Sequence, residues 1–234
     1  MFARRLFSGH IAAAVTLALA GCGSDSSSTA GKQSPTGIVA ASQQAAQHYT
    51  SVLASGLVPD TGGRVRVDVH IAHGKGAVGT IADAPYTMEV IRIGQNIYLK
   101  SGYSPNFYER IAGRKAATHL LGRWIHASVN AGSLIRTLSS FTELSNLTRG
   151  FFGQPGRLSI GGMAGAVGIK VVEVKNNATN EVLYVATAGT PYPVQILQSG
   201  ASTDDGIAFD QWNRPVPISA PPHAIDIEKI NRKA

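Results

Sequence analysis

Residues 64–101, RVRVDVHIAHGKGAVGTIADAPYTMEVIRIGQNIYLKS, constrain the chain more than any other stretch. Val65, Val67, Val69 and Ile71 alternate with Arg64, Arg66, Asp68 and His70. Successive side chains of a strand leave on opposite faces, so this period of two gathers the branched apolar groups on one face. Three more strand-like runs follow at short intervals, 76–82, 86–93 and 96–101, and no helical period interrupts them. The pattern predicts an antiparallel meander with one strongly apolar face.

The register of one hairpin is testable from the residues alone. A two-residue turn at Gly94-Gln95 sets Ile93 opposite Asn96, Arg92 opposite Ile97 and Val90 opposite Leu99. Met88, Val90, Ile97 and Leu99 then share the apolar face. Glu89 falls opposite Lys100 on the other face, where a cross-strand ion pair is favourable. A slip of one residue destroys both agreements. Ile91 opposite Tyr98 leaves the outer face not wholly polar.

Ahead of this lies a segment that is not expected to belong to the fold. Arg4 and Arg5 precede an uncharged run, 11–20, too short to span a bilayer. That order is a secretory signal over residues 1–21. It ends Leu19-Ala20-Gly21-Cys22, a bacterial lipobox, and Cys22 is the single cysteine of the chain. The alternative, an ordinary signal peptide with a chance cysteine, leaves that coincidence unexplained. Acyl chains such as palmitate on Cys22 would anchor the chain to the cell membrane at its extracytoplasmic, envelope face. Each buried methylene contributes about 0.8 kcal/mol, and two chains hold where one is marginal. With its thiol acylated the mature chain has no disulfide, so packing alone must hold the core. Residues 22–34 form the tether; GSDSSSTAGKQ carries no large apolar side chain to offset its ordering entropy. Residues 35–230 suffice for a single domain.

Charge narrows the partners. The chain has 21 Lys and Arg against 14 Asp and Glu, and losing Arg4 and Arg5 lowers the cationic excess from seven to five. Those charges are scattered, without the basic and aromatic interleaving of a nucleic-acid surface, and export removes that partner. Attraction to anionic headgroups or glycolipids, or plain solubility, is the remaining use.

Helices are expected on either side of the meander. From Ser34, a capping residue before Pro35, apolar groups recur at Ile38, Ala41, Ala45, Tyr49, Val52 and Leu53, until Gly56 and Pro59 end the run. Beyond the meander, 105–111 places Phe107, Tyr108 and Ile111 at helical spacing, and 115–121 does so for Ala116, Ala117, Leu120 and Leu121, with Trp124 just beyond. Residues 133–138 form a short apolar-faced helix. Ser140-Phe141-Thr142-Glu143 matches a capping box opening a helix through Leu144 and Leu147. Phe151 and Phe152 follow. The glycine-rich stretch 153–168 does not fit G-x-G-x-x-G and reads as a turn leading into a strand. Strands resume at 167–174, 181–187, 193–199 and 206–209, with turns at Asn176-Asn177 and Gly189. The proline-punctuated segment 212–218 suits an edge strand.

No catalytic constellation assembles. Among His48, His70, His73, His119, His126 and His223 only His70 and His73 are close, and their odd separation turns them to opposite faces, so neither a metal nor another cofactor is expected. Ser159 lacks a G-x-S-x-G setting. Asp204-Asp205 fits a solvated turn. With no nucleophile, base and oxyanion donor together, the chain reads as non-enzymatic.

Several phrases carry a family resemblance: Gly76-Ala77-Val78-Gly79-Thr80-Ile81; Ile91-Arg92-Ile93-Gly94 leading to Ile97-Tyr98-Leu99-Lys100; Leu121-Gly122-Arg123-Trp124; Leu183-Tyr184-Val185 before Pro191-Tyr192-Pro193; and Phe209-Asp210-Gln211-Trp212-Asn213-Arg214-Pro215-Val216. In order and texture the chain resembles the LppX/LprG-type bacterial lipoproteins and their relatives, the LolA/LolB lipoprotein carriers. That resemblance implies an α+β fold: a curved antiparallel half-barrel with helices covering its concave face. It also implies a cavity there for acyl chains of lipids, glycolipids or lipoproteins. The lipobox fits the anchored members rather than the soluble LolA type. The family offers no fixed contact motif to transfer, so the candidate ligand-binding side chains follow from the alternation: Val67, Val69, Ile71, Met88, Val90, Ile97 and Leu99, with Phe107, Leu120 and Leu144 from the helices. The expected role is lipid transport or chaperoning in the envelope. The alternative is a non-enzymatic anchored scaffold, its sheet packed solid by its own helices, that regulates an envelope protein partner.

Overall fold

A computed structural model describes residues 34–231 except 61–62, 103–104, 154–155, 167 and 199–205. The expected signal segment, Cys22, the tether up to residue 33, and Asp204-Asp205 lie outside the described residues.

The chain opens with α1 (Pro35–Gln47), where Ser34 caps as its sequence suggests, its Oγ accepting from the Gly37 N–H at 3.2 Å. The helix is shorter than its apolar spacing predicted. Residues 51–60 instead form strand β1 (Ser51–Asp60), so Val52, Leu53, Gly56 and Pro59 belong to the sheet. In this stretch the spacing suits either period, and pairing with the next strand all the way from Ser51↔Ala72 to Asp60↔Gly63 decides it. Gly56 ends no helix. It sits at φ +145° on β1 where an added Cβ would stand 2.0 Å from the Gly206 carbonyl oxygen on the neighbouring strand.

The meander follows as expected: β2 (Gly63–Ala72), β3 (Gly76–Asp83), β4 (Tyr86–Ile93) and β5 (Asn96–Ser101). The hairpin register is the one read from the sequence, with Val90 opposite Leu99 and Lys100 Nζ 2.9 Å from Glu89 Oε1. Next come α2 (Pro105–Ala112), α3 (Arg114–Leu120), β6 (Ile125–Ser128), α4 (Ser133–Ser140) and α5 (Leu144–Phe152). The second half supplies β7 (Leu158–Ala166), β8 (Ile169–Asn176), β9 (Glu181–Ala186), β10 (Pro193–Leu197), β11 (Gly206–Asp210), β12 (Ile225–Asp226) and α6 (Ile227–Asn231).

Three local readings change. The glycine-rich stretch carries a whole strand, β7, and a four-residue strand, β6, follows Trp124. Residues 212–218 form no strand: Trp212 and Asn213 lie in a turn, Asn213 at φ +62°, and the segment is held by Asn213, whose Oδ1 accepts from the Thr50 N–H at 2.7 Å and whose N–H donates to the Ser51 carbonyl at 2.8 Å. The capping box does not form either. Ser140 ends α4 and turns its hydroxyl back to the Thr137 carbonyl at 2.6 Å, leaving Glu143 as N-cap of α5 without a side-chain cap bond.

The twelve strands among the described residues join one sheet in the order β12-β6-β5-β4-β3-β2-β1-β11-β10-β9-β8-β7, antiparallel except for β12 against β6. Its terminal strands do not meet, giving a curved α+β half-barrel. Side chains from the concave face and from the helices merge into one hydrophobic core. At the β5 end, Tyr108 seals it: fully buried, its hydroxyl accepts from the Ser101 N–H and lies 2.9 Å from the Ser101 carbonyl and 3.1 Å from that of Arg123.

Two stability measurements test this packing. Gly56→Ala should cost roughly 2 kcal/mol or more in urea unfolding, because backbone must move to admit the methyl group. Burial raises the Tyr108 hydroxyl above its usual 10.0, with Glu89 adding to the rise and the Ser101 hydrogen bond opposing it. A raised phenol gives stability that is complete below pH 10 and fades as pH climbs through the folded-state value. Tyr108→Phe should flatten that alkaline loss and cost about 1–3 kcal/mol at neutral pH by stranding the Ser101 N–H.

Candidate functional site

Cross-strand pairing lines up side chains in rows on the concave face. One row runs Ala54, Val69, Gly79, Val90, Leu99, Ile125 and is apolar throughout. The next runs Val52, Ile71, Ala77, Arg92, Ile97, Ala127, and a guanidinium stands where the pattern calls for a hydrocarbon. Arg92 shares its face with Met88 and Val90 because all three have the same parity on β4. Its side chain is only 13% exposed.

The row opens onto a cleft of about 580 Å³ at one rim of the sheet. That rim is where β1 begins and where the β2–β3 and β4–β5 turns lie, since Ser51 pairs Ala72, Ala72 pairs Gly76 and Gly76 pairs Ile93. The last turn of α1 supplies Ala46 and Gln47, and α5 crosses opposite with Leu144, Thr148, Arg149 and Phe152. Ile71, Ala72, Ala46, Leu144 and Phe152 give the cleft an apolar floor, while His73, Lys75, Arg92, Glu143 and Arg149 ring it. Its volume falls within the roughly 300–1,000 Å³ usual for small-molecule sites.

Polar contacts organise that ring. Arg92 Nη1 lies 2.5 Å from Glu143 Oε1 and donates to Thr142 Oγ1 at 3.3 Å, and its Nε donates to the Gly94 carbonyl at 3.0 Å. Glu143 Oε2 accepts from Asn146 Nδ2 at 3.1 Å, and Asn146 Oδ1 accepts from Arg149 Nη2 at 2.6 Å. A continuous relay thus joins the sheet to the first turns of α5. Tyr49 closes the side, its ring edge-on to His73 with centroids 5.0 Å apart. Burial first, then the Glu143 carboxylate, holds the Tyr49 hydroxyl above its usual range.

The ten apolar side chains singled out from the sequence all enter the one core: Val67, Val69, Ile71, Met88, Val90, Ile97, Leu99, Phe107, Leu120 and Leu144, none more than 4% exposed. Ile71 and Leu144 alone among them also line the cleft. Phe107 and Leu120 lie with α2 and α3; the Phe107 ring stands 6.2 Å from that of Tyr86 at the far end of β4. A second hollow of about 870 Å³, bordered by α2, α4 and α6, is lined by none of the ten. Arg92 is not among the site residues expected from the sequence, although the hairpin register sets it opposite Ile97 on the apolar face. Parity was the signal available. The identity of its partner is not legible there, because Glu143 lies 51 residues away in a segment whose local pattern points only to a helix cap. Among the described residues no group of three or more His, Cys, Asp or Glu side chains is placed to hold a metal, and no helix is long and apolar enough to cross a membrane.

The ion pair has a measurable signature. A double-mutant cycle with Arg92→Met and Glu143→Gln should give a coupling of about 1 kcal/mol, modest because Glu143 is partly solvated, and smaller at high salt. A coupling of zero would leave α5 held by packing alone.

Comparison with known proteins bears on the fold. No protein-family model matches the chain, and no curated protein matches it by sequence. Solved structures do. LppX, a lipoprotein of Mycobacterium tuberculosis, aligns with a TM-score of 0.47 and 15% identity over 80% of this chain and 100% of its own. LprF from Mycobacterium bovis aligns with a TM-score of 0.55 and 16% identity over 80% of this chain and 96% of its own. The resemblance read from the sequence is therefore met in three dimensions, and the chain has the fold of LprF.

Proposed function

We propose that this chain is a membrane-anchored, non-enzymatic lipid-binding protein of the bacterial cell envelope, which takes up acyl chains at the concave face of its half-barrel as a carrier or chaperone. One observation carries the reading. The concave face has a mouth between α1 and α5 with an apolar floor and a polar ring, the arrangement that suits a molecule with a hydrocarbon tail and a polar head. The lipobox ending at Cys22 supports the anchor, and the half-barrel fold supports the reading with a continuous apolar sheet face.

The driving force would be desolvation, at about 25 cal/mol for each Å² of apolar surface removed from water. Val67, Val69, Val90 and Leu99 have at most 1% of their surface accessible, so no water-sized void touches them. A tail that reaches them needs the helices over the concave face to part from the sheet, beginning where α1 and α5 border the cleft. In this reading the cleft is where loading starts, and the deeper side chains become ligand contacts as the helices lift.

The same dense packing favours the second reading, an anchored scaffold whose sheet is filled by its own helices and whose surface regulates an envelope protein. The two differ in what copurifies. Native mass spectrometry of the full chain, carrying Cys22→Ser so that its own acyl anchor is not counted, should reveal a bound lipid species, and a fluorescent fatty-acid probe should gain intensity on mixing. Absence of both signals, with a stoichiometric envelope protein recovered instead, would discard lipid binding for the scaffold.

A further inference from the structure

The cleft carries a charge pattern that a purely hydrocarbon-binding mouth does not require. Arg92 interrupts an otherwise apolar row on the concave face, 13% exposed, and its carboxylate neighbour among the described residues is Glu143 at 2.5 Å. A guanidinium stays charged at any physiological pH, so a buried one needs an anion beside it at all times. Glu143 meets that need from the more exposed side, its own side chain 43% accessible at the lip of the cleft. Lys75 and Arg149 line the same space, so three cations face this single carboxylate.

We infer that the cleft selects amphiphiles with an anionic head group, and that the head group replaces Glu143 as the partner of Arg92. The inference rests on the lipid-binding reading and names the ligand class for that site. A carboxylate or phosphate matches the guanidinium fork as Glu143 does, through charge-assisted hydrogen bonds. The head group's negative charge also offsets the cationic excess that Lys75 and Arg149 leave when Glu143 is the cleft's carboxylate. The exchange is coupled to movement, because Glu143 is the N-cap of α5. When its carboxylate leaves Arg92, the hydrogen bond from Arg92 to Thr142 Oγ1 at 3.3 Å remains as a polar link to the sheet, and α5, losing its ion pair, is freer to lift from the apolar floor. The head group thus opens the path that its own tail needs.

Isothermal titration of the full chain carrying Cys22→Ser tests this with dodecyl phosphate, dodecyl maltoside and inorganic phosphate, the first two below their micellar range. Dodecyl phosphate should bind about tenfold more tightly than the neutral maltoside, the size expected for one charge-assisted contact. Glu143→Gln, which removes the competitor, should tighten dodecyl phosphate severalfold; Arg92→Gln should bring the two amphiphiles within twofold of each other. Equal affinities in the unmodified site, a preference that survives Arg92→Gln, or a Glu143→Gln variant that binds dodecyl phosphate no better would each overturn the head-group inference while leaving lipid binding intact. Inorganic phosphate binding as tightly as dodecyl phosphate would identify a free-anion site and overturn it as well. Binding of neither amphiphile would overturn both readings together.

Discussion

The concave face of the sheet places Val65, Val67, Val69, Ile71, Met88, Val90, Ile97 and Leu99 side by side with almost no accessible surface. Such a surface is worth about 25 cal/mol for each Å² kept from water, and an open sheet cannot fold it away by closing on itself. The helices exist to cover it. Their own lengths make the dependence mutual: α3 has 7 residues, α4 has 8 and α5 has 9, all below the roughly 12–15 at which an isolated helix becomes even marginal in water. Sheet and helices are each unstable without the other, so the cover can loosen locally only where something other than hydrocarbon takes part in holding it.

The two ends of the half-barrel hold the cover differently. At the β5 end the seal is Tyr108, an aromatic plug whose hydroxyl is satisfied by backbone groups of Ser101 and Arg123. Opening that end would expose a large ring to water and break the hydrogen bonds of its hydroxyl, with no other group there to take its place. At the opposite rim the seal is an ion pair and its hydrogen-bonded relay through Asn146 to Arg149. An ion pair can trade one anion for another, which a packed ring cannot do. The fold therefore has a fixed end and an exchangeable one, and the cleft lies at the exchangeable one.

Sharing the LprF fold at 16% identity is consistent with what sets this architecture. A sheet governed by alternation asks for apolar groups of suitable size at every second position, and many residue combinations satisfy it. Particular identities are demanded at only a few places. Gly56 is one, where a side chain would strike the neighbouring strand, and Arg92 is another, where a hydrocarbon would have fitted the row better.

What the sequence by itself determined was local and periodic: the β2–β5 meander, the Gly94-Gln95 hairpin register with its Glu89–Lys100 pair, and the lengths of α2 and α3 to within about a residue or two. Each strand, turn and helix among these is encoded by neighbouring residues, so period and turn chemistry are enough. Residues 51–60 suit a helix or a strand equally well, and only the partners Ser51 finds across β2 and Asn213 decide between them. In the same way, β7 is a strand because β8 lies beside it, despite the glycines that read as a turn. Arg92 could be assigned to the apolar face from parity, but its anion comes from a junction fifty residues further on, with Thr142 beside it. A site formed by bringing a strand end, a helix end and two turns to one rim has no contiguous signature, because long-range packing is what sets those groups together.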